Sequence, residues 1–302
     1  MRVLITGNRG FVGAETQRLL NQSGHHVIGF DVMDGRNIID LMQLDHVVQE
    51  EQPDKILHLA AVARFADADA NPDLAHQTNV LGTSHVAAVA SKYHKPLVYA
   101  STGSVYMPIK AKPPIKEDFW AGGNSVYGCT KYMGELLVKK VSPAAPYIIL
   151  RYAHLYGKEK RMHGLIGGFV DRISRGLAPT LYGGKQSNDF TYIKDVARAN
   201  LLALEAPWDK YNQTYNIGTG EELTAKKAGE IICDVLKWPK KNIDMKEQRT
   251  VDPDRFVFDT SKAEIMLGFK AEYTFERGLK DMFDEVNRAE QYANGAPALA
   301  KV

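Results

Sequence analysis

Arg2-Val3-Leu4-Ile5-Thr6-Gly7-Asn8-Arg9-Gly10-Phe11-Val12-Gly13 joins a β-branched apolar run to a glycine turn and then to a stretch of helical periodicity. Phe11, Leu19 and Leu20 are among the apolar positions of that stretch and are expected to face a sheet. Glycines at a strand-to-helix turn let the backbone pass close to a pyrophosphate, to which the helix N-terminus presents free N–H groups and partial positive charge. Gly7, Gly10 and Gly13 are spaced by three and three. The turn, with Arg9, Phe11 and Val12 between its glycines, is expected to bind a dinucleotide.

Outward from this turn, Gly29-Phe30-Asp31 closes a second apolar run, with Asp31 eighteen residues beyond Gly13. A carboxylate there can accept hydrogen bonds from both adenosine ribose hydroxyls and would repel a 2′-phosphate, which favours NAD over NADP. Arg36 lies close enough to offset that repulsion, or serves as a solvated loop arginine. Asp40-Leu41 closes a further strand candidate and resembles a position that meets the adenine in dinucleotide sites. An N-cap for the helical segment beginning near Met42 accounts for Asp40 equally well.

The strand-helix alternation continues through the first half of the chain. Strand candidates are Arg2–Thr6, His26–Phe30, Lys55–Leu59, Pro96–Ala100 and, after a long helical stretch, Tyr147–Arg151. They lack polar alternation, as strands of a parallel sheet covered on both faces should. After Gly157 the pattern loosens into glycine-punctuated segments with only short helices expected between them, read as a smaller second lobe. Tyr215-Asn216-Ile217-Gly218 is expected to return to the sheet. The reading is therefore an α/β, doubly wound parallel sheet over residues 1–157, rejoined by about 189–218. A partly discontinuous α/β lobe takes residues 158–188 and 219–288, and residues 289–302 are expected to be a mobile tail.

Composition narrows the function. The chain has 302 residues with 38 basic and 36 acidic side chains, so its balance indicates neither a nucleic-acid nor an anionic-membrane partner. No apolar run reaches the roughly 18 residues of a membrane span. Two cysteines, Cys129 and Cys233, suit a reduced compartment and a cytoplasmic location, and offer no zinc site.

Tyr127-Gly128-Cys129-Thr130-Lys131 places a phenol and an ammonium four residues apart, on one face of a helix. A free tyrosine titrates near pH 10, and a nearby cation that lowers this by about three units supplies about 4 kcal/mol of differential stabilisation. Ser101-Thr102-Gly103-Ser104-Val105-Tyr106 follows the fourth strand candidate at the carboxyl end of the sheet, where ligands bind in such folds. Cys129 is read as a small packing residue.

Together, Gly7-x-x-Gly10-x-x-Gly13, Asp31, His58-Leu59-Ala60-Ala61, Asn79, Ser101-Thr102-x-x-Val105-Tyr106 and Tyr127-x-x-x-Lys131 resemble the extended short-chain dehydrogenase/reductase family, with its Rossmann-type fold. The resemblance is strongest to its NAD-dependent nucleotide-sugar epimerase and dehydratase members. It continues through Leu150-Arg151-Tyr152, Asp189-Phe190-x-Tyr192-Ile193-x-Asp195-Val196 and Asn216-Ile217-Gly218-Thr219-Gly220 to Asp259-Thr260-Ser261-Lys262-Ala263. It implies NAD bound by the glycine turn, Asp31, Asp40, Leu41, Leu59, Ala60, Ala61, Asn79, Tyr127, Lys131 and Tyr152. Tyr127 would be the acid or base on a sugar hydroxyl. Lys131 would hold the nicotinamide ribose and depress the tyrosine pKa, and Thr102 would hydrogen-bond the reacting oxygen. Ser101 and Ser104 would share that work or bond to backbone at the strand end.

The residues after Thr102 sort the reactions. Family dehydratases carry an Asp-Glu pair there, decarboxylases a glutamate, and 3,5-epimerase/reductases a cysteine at the Ser104 position. Gly103 and Ser104 supply none of these. Two readings remain: a UDP-glucose/UDP-galactose-type 4-epimerase working by transient C4 oxidation and re-reduction, and a reductase of 4-keto-6-deoxy nucleotide sugars. The short stretch from Asp31 to Asp40 resembles the latter. A non-catalytic NAD-binding sensor or scaffold is a third class, although such proteins commonly lose the tyrosine or lysine. Glycine-rich Gly164–Gly168 could give a sugar room to turn. Asn188 stands where the family carries a pyrophosphate-binding arginine, and His154 where it carries an asparagine. Arg249 fills the other pyrophosphate position, with Lys185 or Arg255 as possible helpers. The resemblance also implies a homodimer through the helices containing Asn79–Val89 and Tyr127–Val138.

Overall fold

The computed structural model describes residues 1–106, 113–141, 144–158, 164–247 and 255–294. Strand β1 (Arg2–Thr6) leads through the glycine turn into α1 (Phe11–Gln22), followed by β2 (His26–Phe30), α2 (Leu41–Glu51) and β3 (Lys55–His58). Two short helices, α3 (Phe65–Ala70) and α4 (Pro72–His76), run through a π-helical turn at Gln77–Gly82 into α5 (Thr83–Lys92). Then come β4 (Leu97–Thr102), α6 (Val126–Lys140) and β5 (Tyr147–Tyr152). The expected strands are present, within a residue or two at their ends.

Side-chain alternation explains the layering. Val3, Ile5, Leu57, Val98, Ile148 and Leu150 form one core, while Leu4, Ile28, Phe30, Ile56, Tyr99 and Ile149 form another on the opposite face. Both faces of each strand are thus buried, which requires helices on both sides. The return strand β10 (Gln213–Ile217) completes a six-stranded sheet in the order β10-β5-β4-β3-β1-β2, with all neighbours parallel.

Beyond Gly157 the expectation of only short helices fails. Helix α7 (Gly164–Ser174) is eleven residues long, α8 (Ile193–Glu205) thirteen and α9 (Ala225–Val235) eleven. Apolar spacing on these helices outweighs the glycine content, because buried Ile166, Phe169 and Ile173 pin α7 into the core. Gly164–Gly168 therefore opens a helix rather than a roomy loop. Short strands lie among these helices: β6 (His154–Tyr156), β7 (Thr180–Tyr182), β8 (Ser187–Asn188), β9 (Phe190–Tyr192), β11 (Leu223–Thr224), β12 (Asp244–Lys246) and β13 (Arg255–Phe256). Strand β8 is the middle of a three-stranded sheet between β11 and β13. Helices α10 (Ser261–Leu267) and α11 (Phe275–Asn294) follow. Helix α11 continues to Asn294, into the stretch expected to be a tail, and residues 295–302 lie outside those described.

Candidate active site

Gly7 and Gly13 of the turn stand where a side chain has no room. Gly7 has φ +74°, and a Cβ on it would sit 2.7 Å from the Ala60 backbone nitrogen, so loop 59–61 after β3 packs directly against the turn. A Cβ on Gly13 would overlap the Gly7 carbonyl oxygen. Helix α1 starts from Gly10 with no side-chain cap, which leaves its first-turn N–H groups for a ligand. Phe11, Val12, Leu59, Ala60 and Ala61 are partly exposed around this cradle. The buried Asn8 Oδ1 lacks a protein partner among the described residues. An uncapped helix start beside Gly7 and Gly13, where a Cβ has no room, fits a dinucleotide pyrophosphate.

Asp31, at the end of β2, is oriented by two N–H donors, from Arg9 to Oδ2 and from Met33 to Oδ1, each at 3.0 Å. Asp40 lies in no strand. It N-caps α2 by accepting from the Gln43 N–H at 3.0 Å, and Leu41 beside it is exposed. Asn79 is fully buried. Its amide donates to the Val62 carbonyl and Thr130 Oγ1 and accepts from the Val62 N–H, so it holds the loop after β3 from within.

Thr102 ends β4, and Tyr127 and Lys131 lie a turn apart on α6, whose N-cap is Ser125. Thr102 and Tyr127 are brought together by close packing. A Cβ on Gly128 would overlap the Ser104 carbonyl oxygen, so the start of α6 rests against the turn after β4. Ser104 Oγ accepts from Thr102 Oγ1 at 3.2 Å. Burial pushes Tyr127 up to about 12, with its hydrogen bond to Thr102 pulling the other way. Burial likewise pushes Lys131 down to about 7, opposed by the charge of Glu135. The expected depression of the tyrosine pKa by Lys131 is therefore absent from the protein alone. Lys131 Nζ instead lies 4.2 Å above the Tyr99 ring. In this arrangement Tyr127 is a neutral phenol able to give a proton, and it becomes a base only when further positive charge is brought beside it.

Ser101 takes neither of its expected roles. Its hydroxyl donates to Glu135 Oε1 at 2.6 Å, and Arg151 binds the same carboxylate through Nε at 2.8 Å and Nη2 at 2.7 Å. All three are buried, tying β4, α6 and β5 together behind the candidate catalytic groups. Sequence reasoning missed Glu135, although its place one turn beyond Lys131 puts it on the same helical face. It gave no role to His58, quoted only as part of a motif, whose ring bridges Thr6 Oγ1 at 2.6 Å and Thr83 Oγ1 at 2.9 Å. Tyr152 is buried, and its hydroxyl donates to Asn200 Oδ1 at 2.6 Å, with Asn200 in turn donating to Thr16 Oγ1 of α1.

The smaller sheets border this site. A Cβ on Gly103 would overlap the ring of Phe256, which places β13 against the Thr102–Ser104 turn. Asn188, partly exposed, stands on β8 beside Phe256. The Asp189 carboxylate is clasped by the Thr219 and Gly220 N–H groups and the Thr219 hydroxyl, which fixes the strand break between β8 and β9. His154 is exposed, with its ring edge-on to Phe190 at 5.2 Å. A cavity of about 280 Å³ lined by Phe190, Thr219, Leu223, Ile231 and Phe275, among others, opens beside it and does not reach Thr102 or Tyr127. Arg255 is taken up by Glu222, at 2.6 and 2.5 Å, and Lys185 is exposed. Arg249 lies outside the described residues. Among the described residues no cluster of metal-ligating side chains occurs, and no helix is long and apolar enough to cross a membrane.

Comparison with known proteins identifies the family. Residues 3–218 match the model of the NAD-dependent epimerase/dehydratase family. A UDP-glucose 4-epimerase candidate from Methanocaldococcus jannaschii is 30% identical over 298 residues, covering 92% of this chain and 96% of that protein. The crystal structure of UDP-glucose 4-epimerase from Thermotoga maritima with UDP-glucose superposes with a TM-score of 0.88 at 27% identity, covering 96% of this chain and 100% of that one. The Thermus thermophilus UDP-glucose 4-epimerase in complex with NAD gives 0.81 at 26% identity, covering 94% and 98%. The chain belongs to the NAD-dependent epimerase/dehydratase family and is an enzyme of that family, with NAD as its cofactor.

Proposed function

We propose that this member of the family is a nucleotide-sugar 4-epimerase of the UDP-glucose/UDP-galactose type. The observation that carries the choice of reaction is the turn after Thr102. No side chain fits at Gly103, because Phe256 of β13 fills the space, and Ser104 next to it carries no acid or thiol. A dehydratase needs an acid at this turn to expel a hydroxyl as water, and a 3,5-epimerase needs an extra proton carrier. A 4-epimerase needs neither. Relatives that carry the UDP-glucose 4-epimerase name support the substrate class.

NAD, when bound, supplies a reversible two-electron acceptor. The glycine turn and α1 would hold its pyrophosphate, and Asp31 its adenosine ribose, with Asp40 and Leu41 placed towards the adenine. Tyr127 would take the proton from the sugar C4 hydroxyl as that carbon is oxidised, and return it after the 4-keto sugar has turned over. The Thr102 hydroxyl would orient the same oxygen. Lys131 would contribute its charge at the ribose, and holding that charge in a buried site favours the tyrosinate. Asn188 and His154 would border the nucleotide-sugar, and Arg249 would be the fork for its diphosphate. The substrate lobe would comprise residues 158–188 and 219–288. Exposed Leu81, Met133 and Leu136, on the π-turn and α6, support a homodimer through these helices, which sedimentation velocity tests.

The deciding experiment incubates the protein with NAD and a panel of UDP-hexoses, following the anomeric protons by NMR. Interconversion of C4 epimers without net NADH establishes the reading. No conversion, with NADH consumed on a 4-keto-6-deoxy nucleotide sugar, moves the protein to the reductases. Tyr127→Phe is expected to abolish turnover and leave NADH affinity within about twofold. Unchanged turnover refutes the role given to Tyr127.

A further inference from the structure

Two arginines flank the carboxylate that meets the adenosine ribose, and both are already engaged by the protein. Arg9 lies inside the glycine turn. Its N–H orients Asp31, while its guanidinium forms a two-pronged ion pair with Asp34, Nη2 to Oδ1 at 2.8 Å and Nε to Oδ2 at 3.0 Å. Asp34 ends the single 3₁₀ turn that Asp31 caps, so the two carboxylates lie three positions apart in the chain. Arg36 turns back and donates from Nη1 to the Gly29 carbonyl at 2.5 Å. The backbone holds this arrangement, because the Asp34 and Arg36 N–H groups both donate to the Asp31 carbonyl.

The fork of Arg9 has the geometry that binds phosphate oxygens, and it sits where the extra phosphate of NADP would be presented. We propose that Asp34 is a second determinant of cofactor choice, which acts by withholding Arg9 from a 2′-phosphate. Asp31 repels that phosphate directly. Asp34 adds a second negative charge and occupies the one guanidinium placed in the turn to neutralise it. A cofactor with a free 2′-hydroxyl needs no release of the pair, so Asp34 leaves NAD binding unchanged. The pair is exposed, with 59% and 33% of the two side chains accessible, which limits its effect to about fivefold in affinity.

This inference rests on the placement of the adenosine ribose at Asp31, and the experiment separates the two. The full chain, freed of carried-over nucleotide, is titrated with NADH and NADPH at low ionic strength, reading ligand fluorescence. The unaltered protein, Asp34→Asn and the double variant Asp34→Asn/Arg9→Gln are compared. Asp34→Asn is expected to tighten NADPH about fivefold with NADH unchanged within twofold, and the double variant to lose the gain. An unchanged NADPH affinity in Asp34→Asn overturns the proposal alone. A gain that survives in the double variant also overturns it, because removing one negative charge would then suffice without Arg9. Failure of the unaltered chain to bind NADH overturns the ribose placement and the proposal together.

Discussion

Removing Glu135 tests the buried network behind the candidate catalytic helix. Glu135 is wholly inaccessible, and its carboxylate accepts three hydrogen bonds, one from Ser101 and two from Arg151. Arg151 is only 3% exposed, and its remaining contacts are the Glu117 carbonyl and the face of Tyr106. Burial alone would lower the guanidinium pKa, and the hydrogen bonds and charge of Glu135, helped by Tyr106, together outweigh that and raise it. In Glu135→Ala the guanidinium stays charged with no counter-charge, and breaking such a buried pair costs about 3–5 kcal/mol. With about 2.1 cal/mol/K of unfolding entropy per residue, this loss lowers Tm by about 5–8 °C for the 302-residue chain. Because Glu135 joins the strand of Thr102 to the helix of Tyr127 and Lys131, turnover should fall before global unfolding sets in. Differential scanning calorimetry of the protein, Glu135→Ala and the double variant Glu135→Leu/Arg151→Met gives the answer. The double variant is expected to recover most of the loss, since apolar replacement removes both charges at once. A loss of under about 1 kcal/mol in Glu135→Ala would falsify the reasoning, because an ordinary hydrogen bond would then account for the network.

Gly13→Ala should weaken NADH binding at least tenfold by fluorescence titration, since its Cβ would overlap the Gly7 carbonyl and displace the cradle; affinity kept within twofold would contradict this. Lys131 titrates near 7 in the fold and near 10.4 when unfolded, so between those values the unfolded chain holds a proton that the folded one has released. Its contribution to stability rises with pH across that window by up to about 1.4 kcal/mol per unit. The advantage of Lys131→Met over the parent in urea denaturation should therefore be greatest below pH 7 and fade towards pH 10, and parallel pH profiles would rule it out. Burial, reinforced by the charge of Lys131, holds His58 well below 6.5, so the fold loses stability as pH drops through the value for the unfolded imidazole. His58→Leu should start less stable, with the Thr6 and Thr83 hydroxyls left without the ring, yet lack that acid slope; an undiminished slope in acid titration would point to another group.

The sequence alone determined the sheet, the glycine turn, the place of Asp31 at the end of its strand and that of Tyr127 and Lys131 on one helix, because each is a local pattern. Uninterrupted apolar runs mark strands buried on both faces, glycines at a strand-helix junction mark close backbone approach, and a four-residue spacing marks one helical face. Where the local signal was ambiguous, packing decided. Gly164–Gly168 reads as a loop by composition and folds as a helix because Ile166, Phe169 and Ile173 find a core. Asp40 reads equally as a cofactor contact or a cap, and the structure shows the cap, through the hydrogen bond from the Gln43 N–H, alongside the adenine contact proposed above. Ser101 and Glu135, thirty-four residues apart, share a carboxylate interaction that no spacing rule reveals. Gly103 looks like a missing acid in the sequence, and only the tertiary structure shows Phe256 in its place, more than 150 residues away along the chain. The pKa values of Tyr127 and Lys131 belong to the same class, since desolvation depends on the whole surround of a group and not on its neighbours in sequence.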